Sequence, residues 1–533
     1  MTPTISGQAL SVHRGCRAGL SHVPDPADPV YLKPLESLVS AKRDILPRLA
    51  LGPRQRDELG KVIRMAVPMV ITTCSRMVMD IADFKMVGLM GESANAAQGA
   101  ILPAQVTLWS FIIFGFGTIV VINTFVSQSF GRDRLHDTSA YTWQAVYLGL
   151  LYGVIGFAFY PYIDEVFAFI GHGPAIRTLE IEYTRAALFT VAPTIVGEAF
   201  ASFFNGVHRP KVTMWSAVES NAINIFCSAA LIFGWFGLPA MGIVGAAWGT
   251  VIGVTYRVIR LALVFLSKRY DAEYGTRRTY GLDLGKMRSI IRVGAPQGLQ
   301  FLGDVTVWAV FINFLIGRRY SNVDLIASNT AWQFMRISFM PAIGIGIALS
   351  ALVGKAIGQR DNELANRLTY VTFVMMIAYM AVMSTIYLLW RHDLISYFNQ
   401  TPAVIRVGGA IMICAVIFQV FDGIGIIFNS ALRGAGDTFW PAMLYVCSHW
   451  LICIGGGWLL GTLRPDWGVL APWTAATILL IFVGLALWWR WHSRAWQKID
   501  IFRHERPAAA LLAAEPETSE PAPSPDAETI SAP

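Results

Sequence analysis

Long apolar stretches, separated by short polar ones, run along most of the chain. Each contains about 20 or more residues, the length that a helix needs to cross a hydrocarbon layer of roughly 30 Å. A segment inside lipid must satisfy its backbone hydrogen bonds internally, which favours an α-helix for a single stretch of this length. We count twelve such stretches and therefore predict an all-α membrane protein with twelve transmembrane helices. The predicted helices cover residues 60–90, 99–130, 138–162, 175–204, 211–235, 241–267, 286–316, 326–354, 364–390, 402–432, 437–461 and 468–492.

Short sequences in the first half of the chain return in the second half. The Ile-Arg-x-x-x-Pro sequence that ends at Pro68 returns with its proline at Pro296, and the Phe-Asn pair that ends at Asn205 returns at Asn429. Duplicated bundles of this kind are common in transporters, which bind their substrates near the bilayer midplane at the repeat interface. We predict two pseudo-symmetric six-helix lobes with a polar segment at each end of the chain. The predicted segments are a polar, proline-containing cytoplasmic extension (1–58), the N-terminal lobe (59–270), a cytoplasmic linker loop (271–285), the C-terminal lobe (286–495) and a disordered tail (506–533).

Charged residues are few and unevenly distributed. They make up 14% of the chain, against roughly 25% in soluble domains, while hydrophobic residues make up 54%. The net charge of +7 comes mainly from loops on one side of the predicted bundle, which hold fifteen basic residues against five on the other side. This bias predicts a multi-pass protein of the cell (inner) membrane with both termini and the linker loop in the cytoplasm. Because the basic residues report topology, and none of their clusters carries interleaved aromatic residues, we expect no nucleic-acid partner.

Acidic residues inside apolar stretches are the main candidates for function. A charge there costs at least about 2.5 kcal/mol and normally lines a cavity or meets a partner. Asp304 lies in the seventh stretch and Asp422 in the tenth, each on a helical face with other polar residues, and Glu198 is the repeat equivalent of Asp422. We interpret these faces as the lining of a shared, wet interior, although hydrogen bonding between helices would explain the neutral residues equally well. The other residues assigned to the cavity lining are Gln297, Gln300, Trp308, Gln419, Asn429 and Asn205.

The second half of the first stretch carries four charged residues. Arg76, Asp80 and Asp83 share one helical face, and Lys85 points to the opposite side. We expect Arg76 and Asp80, four residues apart, to neutralise one another, which leaves Asp83 as the acid with spare charge. The alternative is a purely structural pair, with Lys85 extending its apolar stem towards the outer surface.

Motifs of cofactor and catalytic chemistry are missing from the sequence. There is no Gly-x-x-x-x-Gly-Lys-Ser/Thr phosphate loop, no histidine cluster with metal-ligand spacing and no Cys-x-x-Cys among the six cysteines. A membrane-embedded enzyme would need a clustered catalytic set on adjacent helices. We therefore predict that the protein is not an enzyme and uses no cofactor besides a coupling ion.

Two stretches are similar to those of a known family. They are the Gln-Ser-Phe-Gly sequence that ends at Gly131 and the sequence from Asn429 to Thr438. With them, residues 59–495 resemble the multidrug and toxic compound extrusion (MATE) family and, within it, the NorM-type branch. The resemblance implies two six-helix lobes around a cavity, and export of amphiphilic organic cations driven by inward flow of H⁺ or Na⁺. We expect a monomer whose partners are organic cations, the coupling ion and the lipid bilayer.

The resemblance assigns roles to four acids. Asp304 and Asp422 match the acids of the seventh and tenth helices, and would bind both the coupling ion, as candidate Na⁺ ligands, and the substrate. Asp83 and Glu198 would be the corresponding acids of the N-terminal lobe. Ion and drug would compete for one acidic site while the lobes alternate between two arrangements. A tyrosine that commonly lies four residues before the tenth-helix acid is replaced by Phe418, which slightly favours H⁺ over Na⁺.

The alternative function on the same fold is a lipid-linked oligosaccharide flippase. Such a protein should line its cavity with arginine and lysine to hold pyrophosphate, and Arg76, Lys85 and Arg336 are the candidates. The directions of Lys85 and Arg336 therefore separate the two functions.

Overall fold

Twelve helices long and apolar enough to cross a membrane make up most of the protein in a computed structural model, which describes residues 52–90 and 94–502. The described residues contain no strand, so the predicted all-α fold class is confirmed. The spans are α1 (Pro53–Gly88), α2 (Gly99–Gly131), α3 (Leu135–Ile170), α4 (Pro174–Gly206), α5 (Pro210–Phe233), α6 (Gly242–Phe265), α7 (Leu284–Ile316), α8 (Asn322–Gly358), α9 (Asn362–Leu389), α10 (Pro402–Ala435), α11 (Phe439–Leu463) and α12 (Leu470–His492).

Several spans depart from a regular α-helix. A turn at Val121 divides α2, and a short 3₁₀ helix, Tyr160–Tyr162, interrupts α3. The last residues of α7, Phe311–Ile316, and the middle of α11, His449–Gly456, are π-helical. π-Helical turns are rare and are frequently found at functional sites. The π-helical part of α11 is therefore a candidate position for functional residues.

Buried apolar residues form two clusters that correspond to the two halves of the chain. Phe203 lies in the cluster of the N-terminal lobe and Phe311 in that of the C-terminal lobe. α1 contributes to both, since Val62 packs in the C-terminal cluster and Val87 in the N-terminal one. α1 therefore joins the lobes, and the predicted extension overlaps its first turn, which begins at Pro53. The predicted tail from residue 506 lies outside the described residues.

The segment between α6 and α7 is fixed along α3. It forms a short helix, Lys268–Tyr274, and then an extended stretch. The indole of Trp143 donates to the carbonyl of Thr276 (2.8 Å), and Gln144 Nε2 donates to the carbonyl of Gly281 (2.8 Å). These contacts tie the connection between the lobes to the N-terminal lobe.

The two lobes meet at the end of the bundle where α2, α8 and α10 finish. The hydroxyl of Thr124 donates to the carbonyl of Arg433 (2.8 Å), and Gln128 Nε2 donates to the carbonyl of Gly434 (2.9 Å). Both bonds cross from the N-terminal to the C-terminal lobe. We call this contact the interlobe seam. It comprises Thr124, Ser127, Gln128 and Gly131 of α2, Gly354, Lys355 and Gly358 of α8, and Arg433 and Gly434 of α10.

Two glycines allow the backbones of α2 and α8 to touch in the seam. A Cβ on Gly131 would overlap the carbonyl of Lys355, and one on Gly358 would overlap the carbonyl of Gln128. Glycine permits such close approach because it has no side chain. The Gln-Ser-Phe-Gly sequence singled out above thus belongs to the seam.

Candidate functional site

Two acids and an imidazole come together in the C-terminal lobe. Asp422 of α10 lies within electrostatic range of Asp304 of α7. Oδ1 of Asp304 lies 3.2 Å from Nε2 of His449 on α11. His449 is buried, whereas 37% of the Asp304 side chain is exposed. Three helices therefore build the site, of which the sequence predicted the two acids.

The orientation of His449 is fixed by its own helix. Its Nδ1 lies 2.9 Å from the carbonyl oxygen of Tyr445, and the two rings stack with centroids 5.1 Å apart. Because a carbonyl only accepts, Nδ1 must carry a hydrogen, and Nε2 is the nitrogen presented to Asp304. Sequence reasoning missed His449, since a single histidine in an apolar stretch more often packs in the core than takes part in function.

A tyrosine hydroxyl lies near the two acids, although Phe418, which replaces a tyrosine on α10, has no hydroxyl of its own. Tyr445 is within electrostatic range of both Asp422 and Asp304, and its hydroxyl lies beside Gly425 of α10. Phe418 itself is buried. This part of the C-terminal lobe therefore does contain a tyrosine hydroxyl, on α11 one turn before His449.

Three predicted lining residues of α7 lie where this helix packs against its neighbours. Gln297 Nε2 donates to Oε1 of Gln300 (3.1 Å), and both side chains are buried where α7 meets α2. Trp308 packs on Trp332 of α8 with ring centroids 4.6 Å apart. Among the described residues, no hydrogen bond joins either glutamine to Asp304. Their assignment to a cavity lining stays a prediction.

Two of the amide side chains predicted to line the cavity, on α4 and α10, have a buried oxygen. Oε1 of Gln419 and Oδ1 of Asn205 are buried, and neither has a hydrogen-bond partner among the described residues. Asn429 is half-buried. Buried polar atoms are normally satisfied, so unsatisfied ones call for an explanation such as a bound ion or water.

Asp83 is the central acid of the N-terminal lobe. Its side chain is only 4% exposed and lies beside Asn224 and Ser228 of α5. Oδ1 of Asp83, Oδ1 of Asn224 and Oγ of Ser228 are all buried, and the Ser228 and Asn224 side chains lie within hydrogen-bonding reach of the Asp83 carboxyl. Asn224 Nδ2 donates to Oγ1 of Thr250 (3.1 Å), which orients its oxygen away from α6. Sequence reasoning missed Asn224 and Ser228, because nothing in their spacing relates them to Asp83.

Glu198 lies among arginines and not beside Asp83. The hydroxyl of Ser202 donates to its Oε1 (3.3 Å). The charged groups in its neighbourhood include Arg257 of α6 and Arg433 of α10. Nε of Arg257 is buried and has no hydrogen-bond partner among the described residues. Glu198 is therefore placed as a counter-ion for buried guanidinium groups, and a role in coupling stays a prediction.

The expected pairing of Arg76 with Asp80 is wrong. Nη2 of Arg336 in α8 lies 3.9 Å from Oδ2 of Asp80, while the Arg76 guanidinium lies over the ring of Trp109, 4.9 Å from its centroid. The packing of α1 against α8 brings Arg336 to Asp80 from the other lobe, which helix spacing could not reveal. Asp83 makes no ion pair with Arg336, although it lies within electrostatic range of Asp80.

Two of the three basic residues on which the flippase alternative depended, Arg76 and Arg336, have partners within the protein. Arg336 contacts Asp80, and Lys85 is exposed. The described residues contain no group of three or more His, Cys, Asp or Glu side chains that could hold a metal ion. A Na⁺ ion would therefore need neutral oxygens as well as a carboxylate, and those lie around Asp83.

The chain is similar to known transporters over most of its length. A probable multidrug resistance protein NorM of Rhodopseudomonas palustris is 26% identical over 453 residues, covering 83% of this chain and 94% of that protein. The NorM relative of Bradyrhizobium diazoefficiens is 26% identical over 437 residues, covering 80% and 92%.

Solved structures share the fold. An outward-facing multidrug resistance MATE family transporter of the MOP superfamily aligns with a TM-score of 0.75 at 19% identity, covering 83% of this chain and 97% of that one. A Vibrio cholerae MATE transporter gives a TM-score of 0.75 at 14% identity, covering 85% and 100%. The model of the MatE family matches residues 68–230 and 304–459, more than half of the chain and parts of both lobes. The chain belongs to the MatE family of multidrug and toxic compound extrusion transporters, as its sequence motifs predicted.

Proposed function

We propose that the protein is a multidrug efflux antiporter that exports amphiphilic organic cations in exchange for H⁺ or Na⁺ by alternating access. The observation that carries this proposal is the contact of Asp304 with His449 beside Asp422, inside an apolar lobe. An acid inside an apolar lobe that stays partly exposed can bind a cation from the aqueous side of a membrane. The NorM relatives, named as multidrug resistance proteins, support the substrate class.

The acid–imidazole contact favours H⁺ as the ion exchanged in the C-terminal lobe. Since Nδ1 of His449 donates to the carbonyl of Tyr445, the bond between Nε2 and Asp304 needs one further proton, on either the carboxyl or the ring. Without that proton, two acceptors face each other at 3.2 Å, and Asp304 is free to attract an organic cation. Proton and drug therefore exclude one another at the same carboxylate.

The oxygens around Asp83 form a second candidate cation site. A carboxylate, an amide oxygen and a hydroxyl suit Na⁺, which prefers hard oxygen ligands, and they suit an ammonium group as hydrogen-bond acceptors. The burial of these oxygens of Asp83, Asn224 and Ser228 in one place, next to a single carboxylate, supports this assignment. The lone carboxylate in the group gives a single negative charge for a monovalent cation to neutralise.

The interlobe seam gives the conformational side of the mechanism. If the basic loops are cytoplasmic, as the positive-inside bias predicts, the seam closes the cytoplasmic end of the bundle. Replacement of a bound drug by a coupling ion would shift the lobes between arrangements with this end closed and open. We place the protein in the inner membrane with cytoplasmic termini, acting as a monomer.

Transport by the purified protein in liposomes tests this function. A fluorescent lipophilic cation should accumulate in proteoliposomes against its gradient when an outward H⁺ or Na⁺ gradient is imposed, and protein-free liposomes should show no accumulation. Absence of cation movement under either gradient, with movement of a lipid-linked oligosaccharide instead, would favour the flippase.

A further inference from the structure

The segment that follows α12 is anchored first to the C-terminal lobe. Trp496 is buried and stacks on Trp491 with ring centroids 4.3 Å apart and planes within 9° of parallel. Its indole nitrogen donates to the carbonyl of Trp491 (3.0 Å). These contacts fix the direction in which the chain leaves α12.

Ile501 crosses the end of α10. It lies against Gly436, the residue that ends α10 with φ +89°, and a Cβ at that glycine would overlap the Ile501 side chain. Gly436 belongs to the C-terminal lobe and lies two residues after Gly434 of the seam. The segment therefore passes beside the seam.

Phe502 lies in the core of the N-terminal lobe. Its ring meets Phe125 of α2 and Tyr141 of α3 edge-on, with centroids 5.9 and 5.8 Å apart, and it is 4% exposed. The guanidinium of Arg132 covers the ring at 4.3 Å and also contacts Asp500 (3.5 Å). Asp500 accepts a bond from the backbone N–H of Phe502 (3.1 Å), so the turn itself is held.

A short segment of the C-terminal lobe is thus docked in the N-terminal lobe next to the seam. We propose that residues 499–502 act as a strap that holds the interlobe seam closed, and that Phe502 must leave its pocket before the seam can open. If the end of α10 moves several ångströms away from α2, a segment attached to the C-terminal lobe cannot keep Phe502 in its present contacts with the N-terminal lobe. Those contacts are the edge-on aromatic packing and the cation–π contact with Arg132. The free energy of docking Phe502 therefore adds to the stability of the closed seam relative to the open one.

The accessibility of a seam residue measures this effect. Ser127 is fully buried and faces Gly354 of α8. Ser127→Cys therefore places a thiol inside the seam, where an alkylating reagent reaches it only when the seam opens. When closing is fast relative to alkylation, the rate is proportional to the open fraction. Peptide mass spectrometry reads the introduced thiol separately from the native cysteines, and buried Cys453 reports global unfolding.

Strap variants and matched controls separate the strap from general destabilisation. In the Ser127→Cys protein, Phe502→Ala and truncation after Lys498 should raise the alkylation rate about tenfold, because a buried aromatic anchor is lost. Arg132→Gln keeps the aromatic packing and should raise it about two- to fivefold. Phe439→Ala, which removes an exposed ring of α11, and truncation after Phe502 should leave the rate unchanged.

Two outcomes would overturn the strap. One is an unchanged rate in Phe502→Ala, Arg132→Gln and the truncation after Lys498. The other is a rise in which Cys453 becomes reactive to the same extent, because the variants would then unfold the protein and not open the seam. The measurement needs no substrate, so it succeeds or fails independently of the proposed drug and coupling ion.

Discussion

The two lobes place their central acids in different chemical surroundings. In the N-terminal lobe, Asp83 is almost completely buried beside the amide of Asn224 and the hydroxyl of Ser228. In the C-terminal lobe, the more exposed Asp304 contacts the imidazole of His449. A duplicated fold thus presents an oxygen-lined acid in one half and an acid–imidazole pair in the other.

This difference shows that the two halves share the arrangement of their helices, but not the side chains that surround their acids. Oxygen ligands suit an alkali cation, whereas an imidazole beside a carboxylate can share a proton with it. We infer that proton exchange is a property of the C-terminal lobe and that Na⁺, if it is used, binds in the N-terminal lobe. Substitutions in the two lobes should therefore affect transport differently.

Neutralising the C-terminal acids should have the largest effect. Asp304→Asn and Asp422→Asn should each reduce gradient-driven efflux of an organic cation at least about tenfold, since both acids are needed for one site. The double variant should be little worse than either single one, as expected of residues that act as a unit. Efflux from cells at matched protein levels measures this, with Asp466→Asn in an exposed loop as the control. Full transport by both single variants would remove these acids from the mechanism.

Changing the N-terminal site should give a smaller, ion-specific effect. We expect Asp83→Asn to lower efflux several-fold, and Asn224→Ala or Ser228→Ala to weaken any dependence on Na⁺ while leaving the response to a pH gradient intact. The reason is that these residues supply oxygen ligands and no proton-binding imidazole. Transport assays under separate Na⁺ and H⁺ gradients distinguish the two. An equal loss of both responses would contradict the division between lobes.

Acid should destabilise the protein through His208, which lies beside the seam with its ring centroid 5.8 Å from that of Phe130 and whose repeat equivalent is the apolar Leu432. Burial and the nearby charge of Lys355 lower the pKa of His208 from 6.5 to about 4. Because the folded protein binds this proton less readily than the unfolded chain, stability is present above pH 6.5 and is lost as pH falls towards 4. The loss should reach at most about 2 kcal/mol at pH 5.

His208→Asn removes this titration and suits the local backbone. His208 has φ +61°, a conformation that asparagine tolerates better than leucine does. The difference in thermal stability between pH 7 and pH 5 should therefore shrink in the variant, in a comparison of melting temperatures at matched ionic strength. An identical pH dependence in parent and variant would rule out His208 as the source.

Asp80→Asn should have the smallest effect. Its contact with Arg336 is long, at 3.9 Å, and the two side chains are 41% and 38% exposed. Partly exposed ion pairs contribute roughly 0–1 kcal/mol. We expect nearly normal efflux and a slight loss of thermal stability, whereas a loss of efflux equal to that of Asp83→Asn would place Asp80 in the transport site.

Length and apolarity were enough to predict the fold, but not all of the site. Twelve apolar stretches predicted twelve helices, because a membrane leaves a long apolar segment few alternatives. The sequence singled out Asp304, Asp422 and Asp83 as candidates because a charge in such a segment is costly and therefore conspicuous. His449, Asn224 and Ser228 were not found, since neutral polar residues occur often in membrane helices and their relevance depends on which helices pack together. The contact of Asp80 with Arg336 likewise follows from packing between lobes, which spacing along one helix does not encode.

Proton release on cation binding tests the exchange at Asp304 most directly. Purified protein in weakly buffered detergent solution at neutral pH would be titrated with tetraphenylphosphonium while a pH indicator records released protons. If drug and proton exclude one another at the Asp304–His449 pair, about one proton should leave per cation bound, and His449→Gln should release markedly fewer while still binding. Binding of the cation by the parent protein with no proton released would contradict this exchange.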